Sequence, residues 1–112
     1  MDFKKIKKEM EENAKKRKET PVYSGVLKYF PDAIKEVARC SLAGNNQHHP
    51  DKPLHWDKSK SSDHADSLSR HLIDHSIDPI DEDGMFHLTK VAWRSLALLQ
   101  IYLERKKGEN AQ

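Results

Sequence analysis

From Met85 to Lys107 apolar residues recur on nearly every side of a helix. Leu88, Val91, Ala92, Ser95, Leu98, Leu99 and Tyr102 follow one broad face, with His87 one turn ahead of Val91. Trp93, Leu96, Ala97, Ile101 and Leu103 make much of the opposite surface apolar too. A helix of this kind must be covered on both sides. Only 112 residues are there to do it, 36% of them hydrophobic and 34% charged, and a chain so short and polar gains little from burying its own surface. The expectation is an all-α fold, a small bundle of three to four helices with a long polar loop, covered further by copies of itself in a homo-oligomer.

Three more helices and their breaks follow from spacing. Phe3, Ile6, Met10 and Ala14 form one narrow stripe over residues 2–19, surrounded by Lys, Glu, Arg and Asn. Residues 1–20 are thus a charged amphipathic segment, ahead of a main domain at 21–107 and a short flexible tail at 108–112. Thr20-Pro21 interrupts the pattern, and Val22–Phe30 is β-branched and aromatic around Gly25, which predicts an extended segment or a short strand. Pro31 and Asp32 suit the first turn of a helix whose buried face is Ala33, Ile34, Val37, Ala38, Ser41 and Leu42, with Gly44 as its stop. Residues 45–61 are the polar loop. Ser61 or Ser62 can cap a helix carrying an apolar stripe of Ala65, Leu68 and Leu72. Asp78-Pro79 and the turn Asp81-Glu82-Asp83-Gly84 lead into the last helix.

Charge narrows the partners. The net charge is only +2, and acidic residues interrupt the N-terminal lysines, so no sequence-specific nucleic acid is expected. No apolar run approaches the roughly 18–20 residues that span a bilayer, so no membrane partner is expected. Cys40 is the single cysteine; it lies in an apolar helical pattern and reads as a small buried thiol of an intracellular protein.

All seven histidines fall between His48 and His87, in the same stretch as Trp56, Arg70 and most of the aspartates. Such clustering suggests a polar site on a helical scaffold. His64, His71 and His75 lie on the border of the Leu68 stripe, where a hydrogen-bonded core histidine competes with a catalytic one. A zinc site from His48, His49, His55 and the His71/His75 pair has no cysteine spacing or HExxH motif behind it.

The runs KYFPDAIKEVARCSLAG, PLHWDKSKSSDHADSLSRHLIDH and DEDGMFHLTKVAWRSLALL resemble the phage-encoded dATP/dGTP diphosphohydrolase N-terminal domain family, over about residues 21–104. The matched positions are Gly44, Trp56, Arg70, His71, Asp81, Asp83, Gly84 and His87. The resemblance implies an all-helical phage protein acting on purine deoxynucleotides in the cytoplasm of a bacterial host. One departure stands out: many relatives read His-Leu-x-His after the acidic turn, whereas this chain has His87-Leu88-Thr89-Lys90.

Splitting a nucleotide between its α- and β-phosphates needs a divalent cation, an activated water and positive groups on the phosphates. The expected assignments are Asp63, Asp66 and Asp81 for magnesium, with His71, His87 and Asp83 as the catalytic groups. Trp56, Lys58, Lys60, Arg70 and Lys90 would hold base and phosphates. Each has a plainer role: Asp63, Asp81 and Asp83 favour helix starts, and Asp66 can pair with Arg70 one turn on. Residues 61–104 contain only Glu82 and Glu104, unlike the paired-glutamate helices of all-α nucleotide pyrophosphohydrolases. A non-catalytic protein that sequesters a cyclic or linear signalling nucleotide against host defence is therefore the alternative, and needs no cofactor. A partner-binding helical module is a third reading, which leaves the His-Asp-Arg cluster unexplained.

Overall fold

The computed structural model describes residues 2–59 and 62–110. It is all-α, with helices α1 (Phe3–Lys18), α2 (Pro31–His48), α3 (His64–Ile77) and α4 (His87–Asn110). The chain divides into two compact units, Met1–Ile34 and Lys35–Gln112.

In the first unit, the Asp2 side chain caps α1 by accepting from the backbone N–H groups of Lys4 and Lys5, each at 3.1 Å. Lys15, Lys16, Arg17 and Lys18 occupy its last turn, where they complement the helix dipole. Ala14 is half-buried and the rest of α1 is exposed. The segment expected to be extended instead forms a π-helical turn, Tyr23–Leu27, closed by Lys28 N–H donating to Tyr23 at 2.8 Å. Its β-branched and aromatic residues favour a strand only where another strand pairs with it. Among the described residues the β pairing is limited to one isolated bridge, Ile80 with Phe86.

The second unit departs from the expected helix bounds. Helix α2 runs through Gly44 to His48 rather than stopping there. Asn45 explains this: its buried side chain donates to the Lys52 carbonyl at 3.1 Å and accepts from His55 N–H at 3.3 Å. These bonds tie the last turn of α2 to the loop and outweigh the local preference of glycine to end a helix. Helix α3 begins at His64 behind Asp63. Ser61 and Lys60 lie outside the described residues. Gly84, at φ 84°, closes the acidic turn, its N–H donating to Asp81 at 2.9 Å.

Helices α3 and α4 pack against each other. His64 lies beside Arg94 and His71 beside His87, so numbering falls on one helix as it rises on the other and the pair is antiparallel. The face they turn inward corrects the sequence reading. Buried positions are His64, Ser67 and His71 on α3, and His87, Thr89 and Ala97 on α4. Of the expected apolar faces, Leu68, Val91 and Ala92 are half-buried, whereas Ala65, Leu72, Leu88, Ser95, Leu98, Leu99 and Tyr102 are exposed. On α2, Ala33, Ala38 and Leu42 are likewise exposed. Ala97 is the sole buried apolar residue among those described. Two of the histidines bordering the α3 stripe, His64 and His71, lie at its buried centre, where Arg94 and His87 meet them.

Two glycine substitutions separate backbone strain from helix propensity. Gly84→Ala forces a side chain into the left-handed region and should cost about 1–2 kcal/mol. Gly44→Ala lies in the interior of α2, where an added Cβ meets nothing within 4 Å, and should stabilise by about 0.5–1 kcal/mol. Urea melts of both variants read the two signs; equal effects would contradict this backbone assignment.

Candidate functional site

Polar residues recur along both inward faces at helical spacing: His64, Ser67, His71 and Asp74 on α3, and His87, Lys90 and Arg94 on α4. Steps of three and four residues keep each series on one side of its helix. With the end of α2 and the loop, His64, Ser67, His71, Lys90 and Arg94 of these series line a cavity of ≈ 650 Å³, a size usual for small-ligand sites.

One wall is aromatic. Trp56 and Trp93 meet edge to face, with ring centroids 5.6 Å apart, and the His64 ring lies 6.0 Å from Trp93. The charged lining groups are Arg70, Lys90 and Arg94, against Asp57 and Asp83. Arg94 Nη1 is 2.9 Å from His64 Nδ1 and 3.6 Å from Asp63 Oδ1. A guanidinium only donates, so His64 Nδ1 accepts and the neutral ring carries its proton on Nε2. Burial, with Arg94 second, holds the His64 pKa below its ordinary value and keeps the ring neutral. Its buried Nε2 has no hydrogen-bond partner among the described residues, and neither has Ser67 Oγ. A buried polar group left unpaired costs about 1–3 kcal/mol, and both residues line the cavity. A polar ligand there would relieve that cost.

At the other end of the α3–α4 interface, the Nδ1 atoms of His71 and His87 are 2.9 Å apart, and one donates to the other. Asp81 Oδ2 lies 3.9 Å from both. Lys90 Nζ donates to Asp81 at 2.5 Å and to Asp83 at 2.7 Å. Burial opposes the Lys90 charge, but the two carboxylates outweigh it and raise the pKa. The same hydrogen bonds from Lys90 hold Asp81 and Asp83 below the usual carboxylate range. Burial, then Lys90, lowers the His71 pKa. Cys40 borders the cavity with its thiol pKa raised by burial, which leaves it a poor nucleophile.

The expected site residues therefore divide. Trp56, Arg70, His71, Asp83 and Lys90 line the cavity, while His87 reaches its edge through His71. Lys58 instead bonds Glu104 and lies over the Trp56 ring, bracing that wall from behind. Lys60 lies outside the described residues. Asp63, Asp66 and Asp81 do not assemble into a cation site: Asp63 faces Arg94, Asp66 is exposed, and Asp81 is held by Lys90. These residues do not fit a dedicated magnesium ion. Nor do His71 and His75 form part of a zinc cluster with the loop histidines; among the described residues the metal-competent group is His71, Asp74 and His87. Trp93 and Arg94 were not expected at the site, although Arg94 continues the His87–Lys90 spacing.

The family model described as dATP/dGTP diphosphohydrolase, N-terminal, matches residues 8–111. No curated protein and no solved structure matches the chain. Among the described residues no helix is long and apolar enough to cross a membrane.

The shifted groups give stability a definite pH dependence. His64 and His71 stay neutral when folded but accept protons when unfolded, so their contribution is full above the ordinary histidine range and declines as pH falls below it. Asp81 and Asp83 add stability that is full above the ordinary aspartate range and lost as pH falls through their lowered values. Thermal melts should therefore fall in two acid steps. His71→Gln should shrink the first and Lys90→Met the second; an unchanged profile in both variants would contradict this electrostatic account.

Proposed function

From a chain that belongs to the dATP/dGTP diphosphohydrolase N-terminal family, we propose a site that binds a purine deoxynucleoside triphosphate and hydrolyses it between the α- and β-phosphates. The carrying observation is the unpartnered His64 Nε2 and Ser67 Oγ, held between an aromatic wall and three cationic side chains. Trp56 and Trp93 supply a surface for the base. Arg70 and Arg94 offer planar donors to phosphate oxygens, and Lys90 adds charge. The His71–His87 pair takes the proton from the attacking water, as neutral imidazole does near pH 7. Magnesium arriving on the triphosphate would neutralise phosphate charge, and no protein ligand is assigned to it. The family resemblance supports a phage-infected bacterial cytoplasm as the setting.

One observation favours the alternative of nucleotide sequestration. Lys90 occupies Asp83 and also Asp81, whose carboxylate lies 3.9 Å from both histidines, so binding without hydrolysis is chemically self-consistent. Incubating the full chain with dATP or dGTP and magnesium should release pyrophosphate. No release, together with a melting shift, would transfer the proposal to sequestration; neither effect would overturn both readings. At about 100 times its dissociation constant a ligand adds about 2.7 kcal/mol of stability. Arg70→Ala should weaken nucleotide binding more than His71→Ala, by about tenfold or more for a lost charged hydrogen bond.

We also propose that the working form is a homo-oligomer. Leu96, Leu99 and Leu103 are 53%, 54% and 45% exposed along one strip of α4, while Ile73 and Ile77 are 63% and 81% exposed on α3. Ala97 alone among the described residues supplies a buried apolar side chain, whereas a stable fold draws mainly on apolar burial. Covering these strips with a second copy supplies that burial. Sedimentation should find more than one chain per particle, and Leu96→Glu with Leu99→Glu should dissociate it and lower the melting temperature. A native single chain that melts cooperatively at high temperature would refute the oligomer.

A further inference from the structure

His71 and Asp74 stand three residues apart on α3, and His87 opens α4 opposite them. One ring nitrogen from each histidine and one Asp74 carboxylate oxygen lie within 4.8 Å of one another. The facing Nδ1 atoms are 2.9 Å apart. Two nitrogens each bound to one tetrahedral ion at about 2.0–2.1 Å stand about 3.3 Å apart, so a parting of a few tenths of an ångström converts the shared proton into a shared ion. Both imidazoles are buried and Asp74 is half-buried, on helices that already pack against each other, so ligation needs little rearrangement. Charge agrees: the Asp74 carboxylate belongs to the cluster and Asp81 Oδ2 lies 3.9 Å from both Nδ1 atoms, against the Lys90 ammonium and the exposed Arg70.

We propose that His71, His87 and Asp74 hold one divalent transition-metal ion, with zinc the best match, across the α3–α4 interface. Two imidazoles and a carboxylate select such an ion over magnesium, which prefers oxygen ligands. Three protein ligands leave a position for water, whose pKa a bound ion lowers towards neutrality. This deepens the hydrolytic reading by giving the water's activation to the bound ion in place of the histidine pair, which then serves as ligand and not as proton acceptor, and it rests on that reading only for that role. Metal binding is measured without nucleotide, so either proposal can fail while the other stands.

Calorimetric titration of the full-length native chain with zinc chloride should give one tight ion per chain, with no comparable binding of magnesium chloride. His71→Ala and His87→Ala should each weaken zinc affinity by about 100-fold or more, since even outer-sphere changes cost roughly 10–100-fold. Asp74→Asn should weaken it in the same direction. His49→Ala with His55→Ala should retain the ion, although those two rings stand 4.6 Å apart in the loop. Should the buried histidine variants fail to fold, Asp74→Asn and cobalt titration of the native chain decide. Cobalt should perturb the ring proton resonances of His71 and His87 ahead of those of His49 and His55. Absence of tight zinc binding by the native chain, its loss in the loop variant, or cobalt effects confined to the loop histidines would overturn the proposal.

Discussion

The Lys90 ammonium joins Asp81 and Asp83 on the acidic turn to the first turns of α4, and one step inward His71 meets His87. Together these bonds pin α3, the turn and α4. Buried charges and imidazoles are costly unless each finds a partner. Here a displacement of either helix would strand several groups at once, so the register of the hairpin follows from polar pairing more than from apolar fit. Gly84 serves the same end: its left-handed backbone folds the turn so that both carboxylates can reach one ammonium.

A polar interface makes an economical site but a weak core. Ion pairs and imidazole contacts specify geometry while adding little net stability once desolvation is counted. Most of the leucines and isoleucines of α3 and α4 that would otherwise supply stability are exposed, among them Ile73, Ile77, Leu96, Leu99 and Leu103. The proposed oligomer would link to the site: a second copy covering the outer strips would let the helices devote their facing surfaces to His64, Ser67, His71, Lys90 and Arg94.

The cavity has two chemically distinct ends. Near Trp56, Trp93 and His64 the wall is flat and aromatic, with unpartnered donors suited to a base or a phosphate oxygen. Near His71 and His87 the groups are nitrogen ligands and carboxylates, suited to a proton or an ion. Arg70 and Arg94 line the same cavity, an arrangement that suits a phosphate chain running from one end to the other.

Spacing and breakers by themselves determined that four helical segments exist, that Pro31 opens one and that Gly84 turns the chain into the last. Those signals act between near neighbours along the backbone and are legible without tertiary information. The stretch in which the histidines concentrate also supplies much of the cavity lining, through His48, His49, His55, His64 and His71. Which face of α3 and α4 turns inward was decided only by the tertiary structure. Each helix carries both an apolar and a polar series at helical spacing, and periodicity names both faces without ranking them. The ranking came from pairings across the hairpin, such as Arg94 with His64 and His71 with His87. The extra turn of α2 beyond Gly44 likewise depended on what Asn45 reaches in a loop seven to ten residues away. Local propensity is a fraction of a kcal/mol per residue, and partners brought together from distant positions readily outweigh it.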